Sequence, residues 1–94
     1  MSGIEDRENI IPLIIYPNPI LENLYLQIFT YSNEAVKIQM IDLLGKVVAK
    51  SEFNTFMVGY NIIDFPLPSD LSQGIYLINI KSESFEYTRR VIKN

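Results

Sequence analysis

Polar and apolar residues alternate most regularly in the middle of the chain. Apolar Val36, Ile38 and Met40 are separated by single polar residues, the period of a strand with one buried face. The alternation stops at residues 42–45, which read DLLG, and resumes at residues 46–50. Asp favours turns because its side chain binds nearby backbone N–H groups, and Gly adopts the positive φ of tight reversals. The pattern therefore predicts a β-hairpin from which the other strands pair outward.

Two strands are predicted before this hairpin. Residues 10–16 are apolar and largely β-branched, but Pro12 removes one backbone donor and restricts the strand to a sheet edge. Residues 16–19 read YPNP and predict a stiff extended corner, because each proline fixes its own φ and restricts the residue before it. Residues 24–29 then alternate aliphatic side chains with aromatic or polar ones, which predicts the second strand.

Three more strands are predicted after the hairpin. Residues 51–56 have a mixed pattern, which predicts an irregular connection. Residues 58–65 and 76–80 alternate again, and residues 85–93 return as the last strand. No longer stretch keeps a helical period, so little or no helix is expected. The side chains expected to point inward are Ile63, Phe65, Tyr76, Ile78 and Ile80.

Short strands with frequent turn signals predict the fold class. Seven such strands, separated by turns every ~8–12 residues, are typical of an all-β, antiparallel, immunoglobulin-like β-sandwich. We expect this domain to span residues 10–94. Residues 1–9 are polar and aperiodic, and we interpret them as a flexible linker or a cloning remnant. Tyr76 follows Gly74 at the start of a late strand, where its hydroxyl can bind the backbone upstream in a tyrosine corner.

The composition narrows the functional classes. Of the 94 residues, 48% are hydrophobic and 20% are charged, which suffices for a packed core. The net charge of −3 argues against nucleic-acid binding, because phosphate contacts need a surplus of Lys and Arg. The absence of Cys and His removes disulfides, thiolate metal sites and the commonest general base. No apolar run approaches the ~20 residues of a membrane span.

The acidic and hydroxyl side chains do not form a recognisable catalytic pattern. Asp42, Asp64 and Asp70 lie at predicted turns or at a strand end, with no spacing suited to acid–base chemistry or calcium binding. We interpret them as turn and capping residues. The serines have no His partner and no Gly-x-Ser-x-Gly unit. The sequence therefore predicts neither an enzyme nor a cofactor.

One aromatic cluster is the best candidate for a ligand platform. Tyr25, Phe29 and Tyr31 fall on the same face of a predicted strand, where rings could receive a sugar or a peptide. Aromatic residues in β-sandwiches more often fill core or cross-strand positions. Cross-strand packing is therefore the favoured interpretation.

A group of cations lies in the last strand. Arg89, Arg90 and Lys93 concentrate positive charge in an otherwise acidic chain. Charge on an edge strand protects it from pairing with other chains. The other interpretation is a contact patch for a partner.

Four motifs in order resemble a known family. They are Tyr16-Pro17-Asn18-Pro19 with Leu24 and Leu26, then Ile41-Asp42-Leu43-Leu44-Gly45-Lys46-Val47-Val48, then Leu71-Ser72-Gln73-Gly74-Ile75-Tyr76, and lastly Arg89-Arg90-Val91-Ile92-Lys93-Asn94. Together they are similar to the type A C-terminal sorting domain of type IX secretion substrates in Bacteroidetes. Each motif is weak alone, whereas their order and spacing are specific. The likeness runs from about residue 15 to residue 94. Two departures are arginine at 89 and 90, where Lys is common, and a longer connection at residues 66–68.

The resemblance implies a role and a location. In that family the domain directs a larger cargo, placed before it, through the outer-membrane translocon with its shuttle proteins, and a sortase-like peptidase then removes it. The expected route is the periplasm in transit, then the outer membrane, cell surface or extracellular space, without membrane insertion or nucleic acid. The remaining alternative is a stand-alone extracellular binding or adhesion module for carbohydrate or protein.

The resemblance also divides the motif residues into two groups. Expected recognition residues are those of the last strand: Arg89, Arg90, Val91, Ile92, Lys93 and Asn94. Expected structural residues are Tyr16, Pro17, Asn18, Pro19, Asp42, Gly45, Lys46, Leu71, Gly74 and Tyr76.

Overall fold

Seven strands carry the chain back and forth between two sheets. The computed structural model describes residues 10–94, so the predicted linker or remnant at residues 1–9 lies outside the described residues. Within residues 10–94 there is no helix, and so none long and apolar enough to cross a membrane. The strands are β1 (Leu13–Tyr16), β2 (Leu24–Thr30), β3 (Glu34–Asp42), β4 (Val47–Phe56), β5 (Gly59–Phe65), β6 (Gly74–Lys81) and β7 (Glu86–Lys93).

The strands form a three-stranded and a four-stranded sheet. The first has the order β1-β2-β5 and the second the order β4-β3-β6-β7. Every neighbouring pair of strands is antiparallel. The prediction of an all-β, immunoglobulin-like sandwich is confirmed. In the four-stranded sheet, further strands pair with only one side of the central hairpin. β3 also pairs with β6, whereas β4 is an edge strand.

The core lies between the sheets and is built from the predicted alternating rows of apolar side chains. Burial of a large apolar side chain contributes roughly 1.5–3 kcal/mol to the stability of the fold, because the side chain leaves water. Thr30 is the one polar residue among the buried side chains described, and its Oγ1 donates to the carbonyl of Met57 at 2.8 Å. The buried apolar residues are Leu13, Ile20, Leu24, Leu26, Ile28, Val36, Ile38, Met40, Phe56, Ile63, Phe65, Tyr76, Ile78, Ile80 and Val91.

The hairpin between β3 and β4 closes through the residues that predicted it. Oδ1 of Asp42 accepts hydrogen bonds from the backbone N–H groups of Leu44 and Lys46, both at 2.9 Å. Gly45 has a φ of +88° and donates its N–H to the Asp42 carbonyl at 3.0 Å. The turn therefore depends on a short acceptor side chain at its start and a residue without Cβ near its end.

The prediction of an irregular connection at residues 51–56 is wrong. β4 continues to Phe56, which is buried and lies opposite Glu34 in the ladder. The β3–β4 pairing contains register shifts between Glu34 and Val36 and between Met40 and Ile41. A bulge inserts an extra residue and breaks the period of two, so alternation along the sequence does not reveal this strand.

A tyrosine corner fixes the entry into β6. The side chain of Tyr76 is buried, and its hydroxyl donates to the Ser72 carbonyl at 2.7 Å. Leu71 donates its N–H to the carbonyl of Pro68 at 3.3 Å, which shapes the preceding turn. The predicted hydrogen bond back to the upstream backbone is present, and it joins the crossover to the core.

Candidate recognition surface on the last strand

The cations of β7 lie on both sides of the strand. β7 is the edge strand beside β6, and Val91 is buried opposite Tyr76. Because side chains alternate along a strand, Arg89 and Lys93 share the inner side with Val91, whereas Arg90 points to the outer face. The three cations therefore do not form one patch, and buried Val91 belongs to the core.

Arg90 and Ile92 lie in an apolar corner of the outer face. Arg90 is opposite Leu77, and Ile92 is opposite Ile75. Ile75 and Ile92 are 37% and 39% exposed. Arg90 is therefore next to apolar side chains that are partly accessible to solvent. We call Ile75, Leu77, Arg90 and Ile92 the outer corner. The sequence signal that could have found Ile75 and Leu77 is that β6 is apolar on both faces.

On the inner side, Arg89 folds back onto its own strand. Its guanidinium carbon lies 5.5 Å from the centre of the Tyr87 ring, and its Nη1 donates to the Thr88 carbonyl at 3.1 Å. Tyr87 stacks on Phe85 with ring centres 5.2 Å apart. Arg89 thus has partners within β7, a situation different from that of Arg90.

The end of β7 is fastened to the proline corner. Ile20, which is fully buried, donates its N–H to the Ile92 carbonyl at 2.6 Å and accepts from the N–H of Asn94 at 3.1 Å. Oδ1 of Asn18 accepts from the Ile92 N–H at 3.0 Å. Ile20 pairs with Lys93 in the parallel sense. Sequence reasoning missed Ile20, although an apolar residue directly after the second proline was a signal.

The other motif residues occupy structural positions. Tyr16 stacks on Tyr25 across β1 and β2, with ring centres 5.5 Å apart. Pro17 and Pro19 follow cis peptide bonds and lead the chain from β1 toward Ile20. Gly74 begins β6 opposite Lys93, close to the end of the chain described. The hairpin group and the Leu71–Tyr76 group have the roles given above.

The acidic residues proposed as turn formers are dispersed. Asp42 binds the hairpin backbone, Asp64 is exposed on β5, and Asp70 is exposed in the turn before β6. Among residues 10–94, no group of three or more acidic side chains could hold a metal ion.

The predicted aromatic platform divides into two cross-strand clusters. Tyr25 contacts Tyr16, whereas Phe29 meets both Tyr31 and Tyr60 edge to face at 4.9 Å. Gln27 stands between them on the same face of β2. These contacts match the cross-strand interpretation.

A serine-bound carboxylate joins two turns at the opposite end of the sandwich. Glu34 accepts hydrogen bonds from the hydroxyls of Ser82, Ser84 and Ser32, the latter two at 2.7–2.8 Å. The bonds from Ser82, followed by those from Ser84, lower the pKa of Glu34 to about 2. The sequence indicated only turns here, because serine and glutamate are ordinary turn residues and their contact spans the fold.

Comparison with known families covers almost all of the described fold. The model of the family described as "Secretion system C-terminal sorting domain" matches residues 14–94. No curated protein matches the chain. The matched range contains the proline corner, the hairpin, the tyrosine corner and β7, so it includes all four motifs.

Proposed function

Because the chain belongs to the family of type IX secretion C-terminal sorting domains, we propose that it directs a larger cargo protein through the outer-membrane translocon. Membership implies interaction with the type IX secretion machinery and export to the cell surface or the extracellular space. The observation that carries the proposal is the family match over residues 14–94. The alternative of a stand-alone carbohydrate or protein-binding module is not favoured.

The proposed route has three steps. The folded domain, residues 10–94, follows its cargo into the periplasm and is received by shuttle proteins or by the translocon. After passage, a sortase-like peptidase cuts before β1, in a linker to which residues 1–9 contribute. The domain acts as an address and not as an enzyme, in keeping with a chain that has neither His nor Cys.

The outer corner is the surface that we propose the machinery reads. It combines the exposed cation Arg90 with half-exposed Ile75 and Ile92. Apolar contact supplies affinity at such surfaces, whereas charge supplies steering and register. Because the end of β7 is fastened by Asn18 and Ile20, the corner has its shape only in the folded domain. The secretion machinery would then bind the domain only after it has folded.

An export assay tests the sorting role. A reporter with a leader for the first membrane is fused before residues 1–94 and expressed in a bacterium that has type IX secretion. We expect the reporter on the surface or in the medium, whereas the same reporter without the domain stays in the periplasm. A sorting domain native to that host serves as the positive control. Retention of the fusion while this control is exported would contradict the proposal.

A further inference from the structure

Three of the four sheet edges are protected against pairing with another chain. β7 carries charges and is fastened at its end by Ile20. β4 carries exposed Lys50, and its pairing with β3 contains register shifts. β1 is only four residues long and follows Pro12 closely. Charges, bulges, prolines and short length are the usual defences of edge strands.

β5 has the fewest of these defences. It runs from Gly59 to Phe65 without Lys, Arg or Pro, and its pairing with β2 contains no register shift. Tyr60 and Ile62 are 51% and 65% exposed. Asp64 is the one charged residue of this strand. A regular, apolar and exposed edge of this kind is a template for another strand.

Backbone groups of three β5 residues face away from the sheet. Phe29 donates its N–H to Pro12 on the β1 side, so the odd-numbered residues of β2 bond toward β1 and the even-numbered ones toward β5. In the β2–β5 register this directs the N–H and C=O groups of Tyr60, Ile62 and Asp64 to the free edge. None of these groups has a hydrogen-bond partner in the described part of the chain.

The start of β5 is held firmly in place. The side chain of Asn61 bonds both the N–H and the carbonyl of Met57, at 3.2 and 2.9 Å. Oδ1 of Asn33 accepts from the N–H of Val58 at 3.2 Å. Thr30 donates to the same Met57 carbonyl. The edge is therefore pre-organised, and a strand that pairs with it does not have to order it first.

We propose that β5 is a self-association edge that pairs antiparallel with β5 of a second copy about Ile62. In this register Ile62 faces its own counterpart, and Tyr60 of each copy faces Asp64 of the other. The carboxylates are thus kept apart, and each lies opposite a phenol that can donate to it. The edge therefore complements itself in hydrogen bonding and keeps its like charges apart, which favours a second copy over an unrelated strand.

Registers centred on the neighbouring residues are less favourable. A pairing centred on Ile63 places Pro66, which has no N–H, opposite Tyr60 in the ladder. A pairing centred on Asn61 needs the N–H of Val58 as a donor to the second copy, but this N–H is already bound to Asn33. The pairing about Ile62 uses only free backbone groups, so it is the register that the edge specifies.

Single-cysteine variants test the register, because the native chain has no Cys. Ile62→Cys should cross-link to itself with a short bismaleimide about tenfold or more faster than Ile14→Cys, since pairing raises the effective concentration of the facing thiols. Ile14 lies on the outer face of the same sheet and is 36% exposed. A mixture of Tyr60→Cys and Asp64→Cys should cross-link between variants faster than either does alone. Equal rates for Ile62→Cys and Ile14→Cys would overturn the proposal.

Sedimentation of the unmodified chain provides a second test. The native protein should show a concentration-dependent rise in mass toward the dimer, and Ile62→Lys should abolish it because a lysine at the edge opposes pairing. Ile14→Lys, at the other edge of the same sheet, is the matched control and should leave the rise unchanged. A native chain that stays monomeric at all concentrations, or an equal loss in both variants, contradicts the proposal.

Discussion

The main-chain nitrogen of Ile20 lies 2.6 Å from the carbonyl oxygen of Ile92. Together with the bond from the Ile92 N–H to Asn18, 74 residues earlier in the sequence, it connects the proline corner to the last strand. The proline corner and the last strand are therefore one structural unit. A substitution in the corner can act on β7 without changing any residue of that strand.

Replacement of Asn18 tests this connection. Asn18→Ala removes the side chain that accepts the Ile92 N–H, and we expect a loss of about 0.5–1.5 kcal/mol in the free energy of unfolding. Hydrogen exchange at the Ile92 amide should accelerate more than exchange in β3. Asn23→Ala, at an exposed position of the same connection, is the control. An unchanged Ile92 exchange rate would show that Asn18 does not hold the strand end.

The sequence predicted those parts of the fold that depend on local patterns. The hairpin was predictable because Asp42 and Gly45 act within a few residues of each other. The seven strands were predictable wherever side chains alternate. The exception was residues 51–56, where the alternation is broken by the register shift opposite Glu34 and Val36, which arises from pairing with β3. No single-strand pattern records such a pairing.

The candidate surface was predictable in composition but not in arrangement. The sequence showed that Arg89 and Arg90 are adjacent, and adjacency in a strand places them on opposite sides. Which side faces the core depends on the pairing of Val91 with Tyr76. The contribution of Ile75 and Leu77 and the bond from Ile20 depend on tertiary contacts. These contacts could not be derived from spacing.

Removal of the Tyr76 ring should destabilise the fold more than removal of an outer-face ring. Tyr76 is 6% exposed, and truncation of a buried aromatic to Ala typically costs ~3–5 kcal/mol. Tyr25→Ala removes a half-buried ring stacked on Tyr16 and should cost less. Tyr76→Phe should cost about 1 kcal/mol, the contribution of its bond to Ser72. Urea midpoints measure all three, and an equal or larger shift for Tyr25→Ala would reject the corner's role.

Gly45 should discriminate between residues that tolerate a positive φ and those that do not. Its φ is +88°, and a Cβ placed there would meet nothing within 4 Å, so any cost is conformational and not steric crowding. Gly45→Val should therefore lose about 1–2 kcal/mol more than Gly45→Asn, since Asn enters this region more readily. Thermal or urea unfolding compares the two variants. Equal stabilities would remove the turn argument.

Glu34 should contribute stability that depends on pH. Its pKa is lowered from 4.5 to about 2 in the folded state, so its contribution is fully present above about pH 5 and is lost as the pH falls toward 2. Because the carboxylate is solvent-accessible, we expect no more than about 1 kcal/mol. Glu34→Gln should be less stable than the native chain at neutral pH, with the difference shrinking on acidification. The control Glu22→Gln, at an exposed position, should show little difference at either pH.

Arg90 and Arg89 offer a matched test of recognition through the outer corner. They are adjacent, exposed and identical in type, so Arg90→Glu and Arg89→Glu change the net charge equally. Both are edge-strand surface substitutions, and each should change stability by no more than about 0.5 kcal/mol. Thermal melts of the purified variants check that condition before export is compared.

Export should fall for Arg90→Glu and remain near the native level for Arg89→Glu. Arg90 borders Leu77 on the outer face, where reversal of its charge would oppose steering toward a complementary partner. Arg89 contacts Tyr87 on the other side of the strand and lies outside the outer corner. The reporter fusion described above measures both variants, with Lys50→Glu on β4 as a distant control for net charge. Periplasmic retention of Arg90→Glu alone supports recognition at the outer corner. Equal export of both arginine variants, with unchanged melting, would contradict recognition at the outer corner. It would favour the interpretation that these charges protect an edge strand from pairing with other chains.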